Sequence, residues 1–356
     1  MLNPALIEWL EHNAQALDTG DGDSQQVLTQ LAQAGVLRVG IAPALGGSGG
    51  HVSDAVETLA AVASHSLAAA FVFWGQRAFI EYLLHSPNTV LRDRLLPSLL
   101  SGELAGATGL SNAMKFLSGI EALQVRAASA TDGWTLNGRL HWVTNLRQSG
   151  FVVAAAIEHV EGGAPFVLAI ADDAGGVQRS TDLQLMGLQS SNTAAIDFTQ
   201  VAVAREWLLH EDARKFLPAV RPAFLGLQCG MAIGLARRAL AEVEGHLQDG
   251  RLVLLEPLHE QREQLAKTVG ELKQGLQDGR FLTHPAALFQ VRIALAESAA
   301  SAVQLELQAS GGKAYLTEHG SGFARRWRES AFVPIVTPSL VQLRAELQRQ
   351  KREAKA

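Results

Sequence analysis

The stretch Asp-Gly-Trp-Thr-Leu-Asn-Gly-Arg-Leu-His-Trp-Val-Thr-Asn at residues 132–145 decides the fold class of this chain. Apolar and polar residues alternate around Asn137-Gly138, a dipeptide that tolerates positive φ, so the pattern predicts a β-hairpin. Trp142 and Thr144 are two residues apart on the second strand and therefore share one face. On spacing alone, ordinary packing of the sheet is the favoured interpretation, and the alternative is that ring and hydroxyl line a flat cofactor.

Outward from this stretch, the hydrophobic pattern changes its period twice. Alternation predicts a β-domain over residues 106–205, whereas helical spacing predicts a helical domain over 1–105 and a helical bundle over 206–356. The bundle helices are predicted at 213–247, 257–278, 286–309 and 337–353. Because strands and helices do not alternate along the chain, the order argues against a doubly wound sheet.

Composition excludes several classes of protein. The chain has 356 residues, of which 47% are hydrophobic, and a formal net charge of -5, so attraction of the whole chain to nucleic acid is not expected. The single cysteine, Cys229, excludes an internal disulfide framework, and the histidines lack metal-ligand spacing, so no metal site is predicted. The first residues do not look like a signal peptide, which makes a cytoplasmic protein the expectation.

Two further patterns concern helices. Residues 58–76 carry no formal charge and are long enough to span a bilayer, but their polar residues favour a helix buried in a bundle, within a helical segment from about Ser53 to His85. No membrane association is therefore expected. Gly226, Gly230 and Gly234 form one stripe on a predicted helix, which indicates that another helix or a ligand approaches its backbone closely.

Several motifs together resemble the acyl-CoA dehydrogenase family over about residues 24–345. They are Ile41-Ala42-Pro43 with Gly46-Gly47-Ser48-Gly49, Leu96-Pro97, Ser101-Gly102-Glu103-Leu104, the 132–145 stretch, Gln308-Ala309-Ser310-Gly311-Gly312, and Arg325 with Arg328-Glu329. The resemblance implies an α+β multidomain fold, with an N-terminal helical domain, a central antiparallel β-barrel-like domain and a C-terminal four-helix bundle. It also implies FAD bound between the β-domain and the bundle, in a homodimer or homotetramer.

The resemblance also implies roles for individual residues. Trp142 would cover the flavin ring, and Thr144 would hydrogen-bond near its N5 edge. Arg221 would lie close to the substrate pocket. The remaining positions implied to contact the cofactor, some of them from a neighbouring subunit, are Ser111, Arg251, Gln308, Gly311, Gly312 and Ser339.

The sequence departs from the family at positions that carry chemistry. The family's Gly-Ser-Asp contact to the cofactor is lost, because Met114-Lys115-Phe116 follows Ser111. The position of the catalytic glutamate is Thr337, and the alternative position of the base is Val220. A threonine hydroxyl is too weakly basic near neutral pH to replace a carboxylate.

Three functions follow as hypotheses. The first is an FAD-dependent oxidoreductase acting on CH-CH donors, which dehydrogenates an acyl-CoA with hydride transfer to flavin N5. It would pass electrons to an electron-transfer flavoprotein and would need another base, such as Glu329. The second is a flavin monooxygenase of the same fold that uses reduced flavin and O2. The third is a non-catalytic member of the family.

Overall fold

The computed structural model describes residues 2–247 and 251–353, and its elements follow the order helices, sheet, helices. The helices before the sheet are α1 (Pro4–Thr19), α2 (Ser24–Gln33), α3 (Val52–Ala63), α4 (Leu67–His85) and α5 (Thr89–Ser101). Those after it are α7 (Ala213–Gly245), α8 (Leu255–Gln277), α9 (Arg280–Thr283), α10 (Pro285–Ser310), α11 (Ser321–Phe332) and α12 (Leu340–Glu353). The four predicted bundle helices correspond to α7, α8, α10 and α12, whereas the sequence pattern predicts neither α9 nor α11.

Eight strands form one sheet between the two groups of helices. They are β1 (Ala105–Thr108), β2 (Val125–Ala130), β3 (Gly133–Val143), β4 (Phe151–His159), β5 (Phe166–Ala171), β6 (Val177–Asp182), β7 (Ala194–Ala204) and β8 (Leu208–His210), with helix α6 (Ser111–Leu117) after β1. The order is β6-β7-β3-β2-β4-β5-β8, and β1 pairs with β4. Because β4 runs parallel to both β1 and β2, the expectation of a purely antiparallel domain is wrong for these pairs. The division into three domains at residues 105 and 205 stays a prediction, and β8 extends the sheet to His210.

The predicted hairpin at Asn137-Gly138 is also wrong. β3 runs through both residues, and the turn lies earlier, at Thr131-Asp132, between β2 and β3. Gly138 has a φ of +146°, and the register between β3 and β7 shifts here, as in a β-bulge. The Asn137 side chain accepts a hydrogen bond from the backbone N–H of Gln200. Asn137 and Gly138 therefore take part in long-range pairing with β7 instead of forming a turn.

The uncharged run at 58–76 lies on two buried helices rather than one. α3 ends at Ala63, and α4 begins at Leu67 with Ser66 as its N-cap. In the part of the chain that the structure describes, three helices are long and apolar enough to cross a membrane by length and composition, and α4 is one of them. In α4, however, 94% of the apolar window is buried inside the protein, as the prediction of a bundle helix requires.

The glycine stripe on α7 is where two neighbouring helices approach its backbone. A Cβ on Gly226 would lie 2.9 Å from Leu276 of α8, and one on Gly230 would lie 2.9 Å from the carbonyl oxygen of Val56 on α3. A Cβ on Gly234 would overlap with the carbonyl oxygen of Ala60. The predicted close approach is therefore confirmed, and the partners are helices.

Replacing Gly234 with alanine should destabilise the protein, because its Cβ has no space against the α3 backbone. We expect the free energy of unfolding to fall by about 1–3 kcal/mol, the usual range for an overpacked core. Gly270→Ala is the matched control, since nothing lies within 4 Å of the added Cβ on α8. That variant should be neutral or more stable by up to about 1 kcal/mol. Equal midpoints in urea denaturation for both variants would contradict the packing described here.

Candidate functional site

A cavity of about 340 Å³ opens where the sheet meets α4, α6 and α11. Its walls are mostly apolar, with five hydroxyl groups and two cations among them. The lining residues are Phe71, Trp74, Thr108, Ser111, Lys115, Trp142, Thr144, Leu185, Met186, Gly187, Leu188, Thr193, Arg328, Ala331, Phe332, Ile335, Val336 and Thr337. It is thus a concave, largely apolar site with a few polar groups, as is usual for a small-molecule ligand.

Trp142 at the end of β3 and Thr144 directly after the strand line the same cavity. Thr144 forms an isolated antiparallel bridge with Thr108, the last residue of β1, which fixes the backbone at this point. Trp142 remains 62% exposed, so a large part of its surface is free to contact a ligand. The two side chains, predicted to share one face, both line this cavity.

The Thr144 hydroxyl can form a hydrogen bond with a ligand. It lies 3.4 Å from the hydroxyl of Thr193, which is long for an O–H···O hydrogen bond. Thr193 in turn lies 2.8 Å from the Ser191 hydroxyl, its closer partner. Thr144 is buried, so a hydrogen bond from its hydroxyl to a ligand would form in an environment largely removed from water.

Two aromatic residues of α4 and one of α11 line the cavity together. The Phe71 and Trp74 rings are stacked with centroids 5.5 Å apart, and the Phe332 ring meets Phe71 edge-on at 4.7 Å. These contacts fix the positions of the three rings. The sequence pattern predicts that these residues lie in helices, but not that they line a cavity. They make an apolar wall suited to a planar or acyl ligand.

Helix α6 replaces the loop that the family resemblance implies after Ser111. Ser111 and Lys115 are four residues apart, so both lie on one face of the helix, and both line the cavity. Asn112 is buried and fastens α6 to the following loop, because its amide donates to the Ala122 carbonyl and accepts from the Gln124 N–H, each at 2.9 Å. Ser111 therefore lines the same cavity as Trp142, its contact with a cofactor stays a prediction, and Lys115 is a cavity residue that sequence reasoning missed.

The buried carboxylate of Asp18 organises the opposite side of the cavity. It accepts hydrogen bonds from Nε and Nη2 of Arg328, at 2.8 and 2.5 Å, and one from the backbone N–H of Leu188 at 2.8 Å. Leu188 has a φ of +57°, a conformation that is rare for a leucine, and Asp18 helps to hold it there. One residue of α1 thus positions two residues of the cavity wall.

Thr337 lies at the cavity, where the resemblance places the catalytic base. Its carbonyl accepts a hydrogen bond of 3.0 Å from the Gln228 side chain, and Gln228 accepts one of 2.9 Å from the guanidinium of Arg292. Arg292 also donates to the Val333 carbonyl at 2.6 Å. Two buried polar residues of the bundle therefore fix the segment 333–337 against the cavity.

The other candidate bases do not reach the cavity. Val220 is fully buried on α7 and is not a lining residue. Glu329 is also buried and is not a lining residue, and its Oε1 accepts hydrogen bonds from Arg325 at 2.9 Å and from the Leu67 N–H at 3.2 Å. Within residues 2–247 and 251–353, no aspartate or glutamate lines the cavity.

Two further predicted residues lie away from the cavity. The Arg221 guanidinium lies 5.3 Å from the centroid of the Phe289 ring, and burial lowers its pKa. Ser339 precedes α12, where it accepts a hydrogen bond of 3.4 Å from the Gln342 N–H while its own N–H donates to the Gln342 side chain at 2.7 Å. The first thus packs within the bundle and the second caps a helix, instead of lining the cavity.

The last four predicted cofactor residues form a separate group at the end of α10. A Cβ on Gly311 would lie 3.6 Å from a guanidinium nitrogen of Arg251, so these two positions are neighbours in the fold. Gln308 is exposed one turn earlier on α10, and Gly312 follows Gly311. None of the four lines the cavity of Trp142.

The comparisons with known proteins agree with this architecture. Residues 6–103 match the family model described as acyl-CoA dehydrogenase, N-terminal domain. The mitochondrial isovaleryl-CoA dehydrogenase of Arabidopsis thaliana is 24% identical over 267 residues, which cover 68% of this chain and 63% of the relative. The chain spans 46–63% of the length of the curated relatives it matches.

Solved structures of the same fold cover nearly the whole chain. A glutaryl-coenzyme A dehydrogenase in complex with glutaryl-CoA superimposes with a TM-score of 0.80 at 16% identity, over 98% of this chain and 94% of the other. KijD3 in complex with FMN and a dTDP-linked amino sugar superimposes with a TM-score of 0.79 at 18% identity, over 98% and 91%. At these identities, the likeness concerns the fold.

Proposed function

We propose that this chain is an FAD-dependent oxidoreductase of the acyl-CoA dehydrogenase family, and that its flavin ring lies in the cavity of Trp142 and Thr144. The observation that carries the proposal is the meeting of these two side chains with Ser111 at one largely apolar cavity. Flavin supplies a hydride acceptor at N5 in dehydrogenation or, once reduced, electrons for O2 in a monooxygenase.

The residues present fit a flavin ring in three respects. The exposed indole of Trp142 can cover a planar ring system, and the aromatic rings of α4 and α11 exclude water from part of the same space. The Thr144 hydroxyl has a single long partner at 3.4 Å and can therefore donate to the edge of the ring. Ser111 supplies a second hydroxyl from α6.

The charge of the cavity bears on the reaction. Dehydrogenation of an acyl thioester needs a base for the α-proton, and in the described part of the chain the cavity offers hydroxyls and two cations but no carboxylate. Dehydrogenation of an acyl-CoA, the reaction of the curated relatives, would thus require a base from outside the cavity. A monooxygenase that takes electrons from reduced flavin does not require that proton transfer, so the cavity favours this second reaction.

One experiment on the FAD-loaded protein distinguishes dehydrogenase activity, monooxygenase activity and the absence of catalysis. Loss of the oxidised flavin absorbance with a panel of acyl-CoAs under anaerobic conditions would support dehydrogenation. Oxidation of reduced flavin by O2 with incorporation of labelled oxygen into a product, and no anaerobic loss of absorbance, would support the monooxygenase. A protein that binds FAD and does neither would overturn the proposal of an enzyme.

The separate group of Arg251 and Gly311 supports an oligomer that shares its cofactor sites. These residues do not line the cavity of their own chain, so we assign their role in cofactor binding to the site of a second subunit. We propose that the protein is a homodimer or homotetramer and that it is cytoplasmic. We also propose a small-molecule substrate, and an acyl-CoA is the first class of compound to test. An electron-transfer flavoprotein would be the partner only of a dehydrogenase.

A further inference from the structure

Lys115 is a cation at the cavity that no part of the proposed reaction uses. It lies one turn after Ser111 on α6, and its side chain is 28% exposed while lining the same cavity as Trp142. Among the described residues, Arg328 is the other cation that lines the cavity. The cavity therefore has an excess of positive charge on its walls.

The two cations differ in how fully they are paired. Arg328 makes two short hydrogen bonds to the buried carboxylate of Asp18, at 2.5 and 2.8 Å. The ammonium of Lys115 lies 3.4 Å from either oxygen of Glu121, beyond the usual range for such a pair. One of those oxygens already accepts a hydrogen bond of 2.8 Å from the Asn112 side chain.

The ammonium of Lys115 therefore keeps donors for a ligand. It has three N–H groups, and Glu121, its salt-bridge partner among the described residues, lies at a long 3.4 Å and is shared with Asn112. An anion in the cavity would meet no carboxylate from the described lining residues, and it would find the Ser111 hydroxyl on the same face of α6. A phosphate suits this pair, because its oxygens accept from both an ammonium and a hydroxyl.

We propose that Lys115 binds a phosphate group of a ligand that occupies this cavity. The inference rests on the proposed function, which supplies two sources of that phosphate: the flavin nucleotide and a coenzyme A thioester. In either case Lys115 contributes to affinity and selects phosphorylated ligands over their unphosphorylated analogues. Lys115 takes part in binding only, and no covalent bond is formed or broken.

The test compares ligands with and without phosphate on Lys115→Met and the wild-type protein. Flavin-free protein is titrated with riboflavin, FMN and FAD by flavin fluorescence, and the flavin-loaded protein is titrated with coenzyme A and pantetheine by calorimetry. We expect Lys115→Met to lower the affinity for the phosphorylated ligand of one pair by about 10-fold more than that for its unphosphorylated analogue. The two pairs are FMN or FAD against riboflavin, and coenzyme A against pantetheine. The pair that shows the difference identifies the source of the phosphate.

Three variants control for charge and for folding. Lys115→Arg should retain most of the affinity, since it keeps the positive charge, and Glu121→Gln should tighten binding of the phosphorylated ligand by removing the competing carboxylate. Lys215→Met removes an exposed lysine of α7 and should change nothing. Circular dichroism and thermal unfolding verify that each variant is folded.

The outcomes separate this inference from the proposed function. Equal affinities of wild type and Lys115→Met, or equal losses for the phosphorylated and unphosphorylated ligand of both pairs, would overturn the role of Lys115 and leave a bound flavin intact. A wild-type protein that binds neither the flavins nor coenzyme A would overturn both. A wild-type protein that binds coenzyme A but no flavin would overturn the proposed function alone, and comparing coenzyme A with pantetheine on that flavin-free protein would still test Lys115.

Discussion

Thr337→Glu should give the FAD-loaded protein an acyl-CoA-dependent loss of flavin absorbance that the wild type lacks or shows only slowly. Thr337 lies at the cavity, and its segment is fixed by Gln228 and Arg292, so a carboxylate introduced there would face the bound substrate. A positioned base contributes about 10²–10⁴-fold to proton transfer. We therefore expect at least about a 100-fold faster anaerobic flavin reduction, measured by stopped-flow absorbance with a panel of acyl-CoAs.

The matched control is Thr337→Gln, which has nearly the same shape as the glutamate variant and no basic oxygen. The gain in the glutamate variant should increase with pH through the pKa of the new carboxyl, because only its ionised form accepts the proton. Lys115 and Arg328, the two cations of the cavity, favour that ionised form. An equal rate for both variants with every acyl-CoA would show that the cavity does not hold an acyl chain beside the flavin.

Trp142→Ala should weaken FAD binding by about 5- to 150-fold, which corresponds to about 1–3 kcal/mol for removing an aromatic stacking surface. The side chain is largely exposed, so its loss should leave no buried cavity and should change stability little. The dissociation constant is measured by flavin fluorescence in the wild type and the variant, together with thermal unfolding in the absence of FAD.

Trp207→Ala is the control for this variant. Trp207 is a half-buried tryptophan next to the same sheet, its ring lies under Arg94, and it does not line the cavity. Its replacement should leave the affinity for FAD unchanged. If both variants bind FAD as tightly as the wild type, the flavin does not lie against Trp142.

Local sequence patterns predict the features of the fold that depend on residues close together in the sequence. The two-residue spacing of Trp142 and Thr144 placed both on one face, and the glycine stripe of α7 indicated a close helix approach. The hairpin at Asn137-Gly138 failed because pairing with β7 competes with the local preference for a turn. Gln200, whose N–H bonds to the Asn137 side chain, is 63 residues away, beyond what a local pattern can report.

The polar framework of the site could not be predicted for the same reason. Asp18 and Arg328 are 310 residues apart in sequence, and Gln228 and Thr337 are 109 apart, so only the folded chain shows that they are partners. Lys115 was within reach of sequence reasoning, because its helical spacing from Ser111 would place both on one face once α6 is recognised as a helix. The family resemblance instead indicated a loop at that position.

The central claim is that the cavity of Trp142 and Thr144 binds flavin, and the flavin content of the purified protein tests it most directly. We predict a yellow protein with about one FAD per chain, either as isolated or after incubation with FAD and gel filtration. Thr144→Val should keep the fold and lower this content, because the buried hydroxyl that can donate to the ring is lost. A colourless wild-type protein that takes up no flavin at saturating FAD would contradict the assignment.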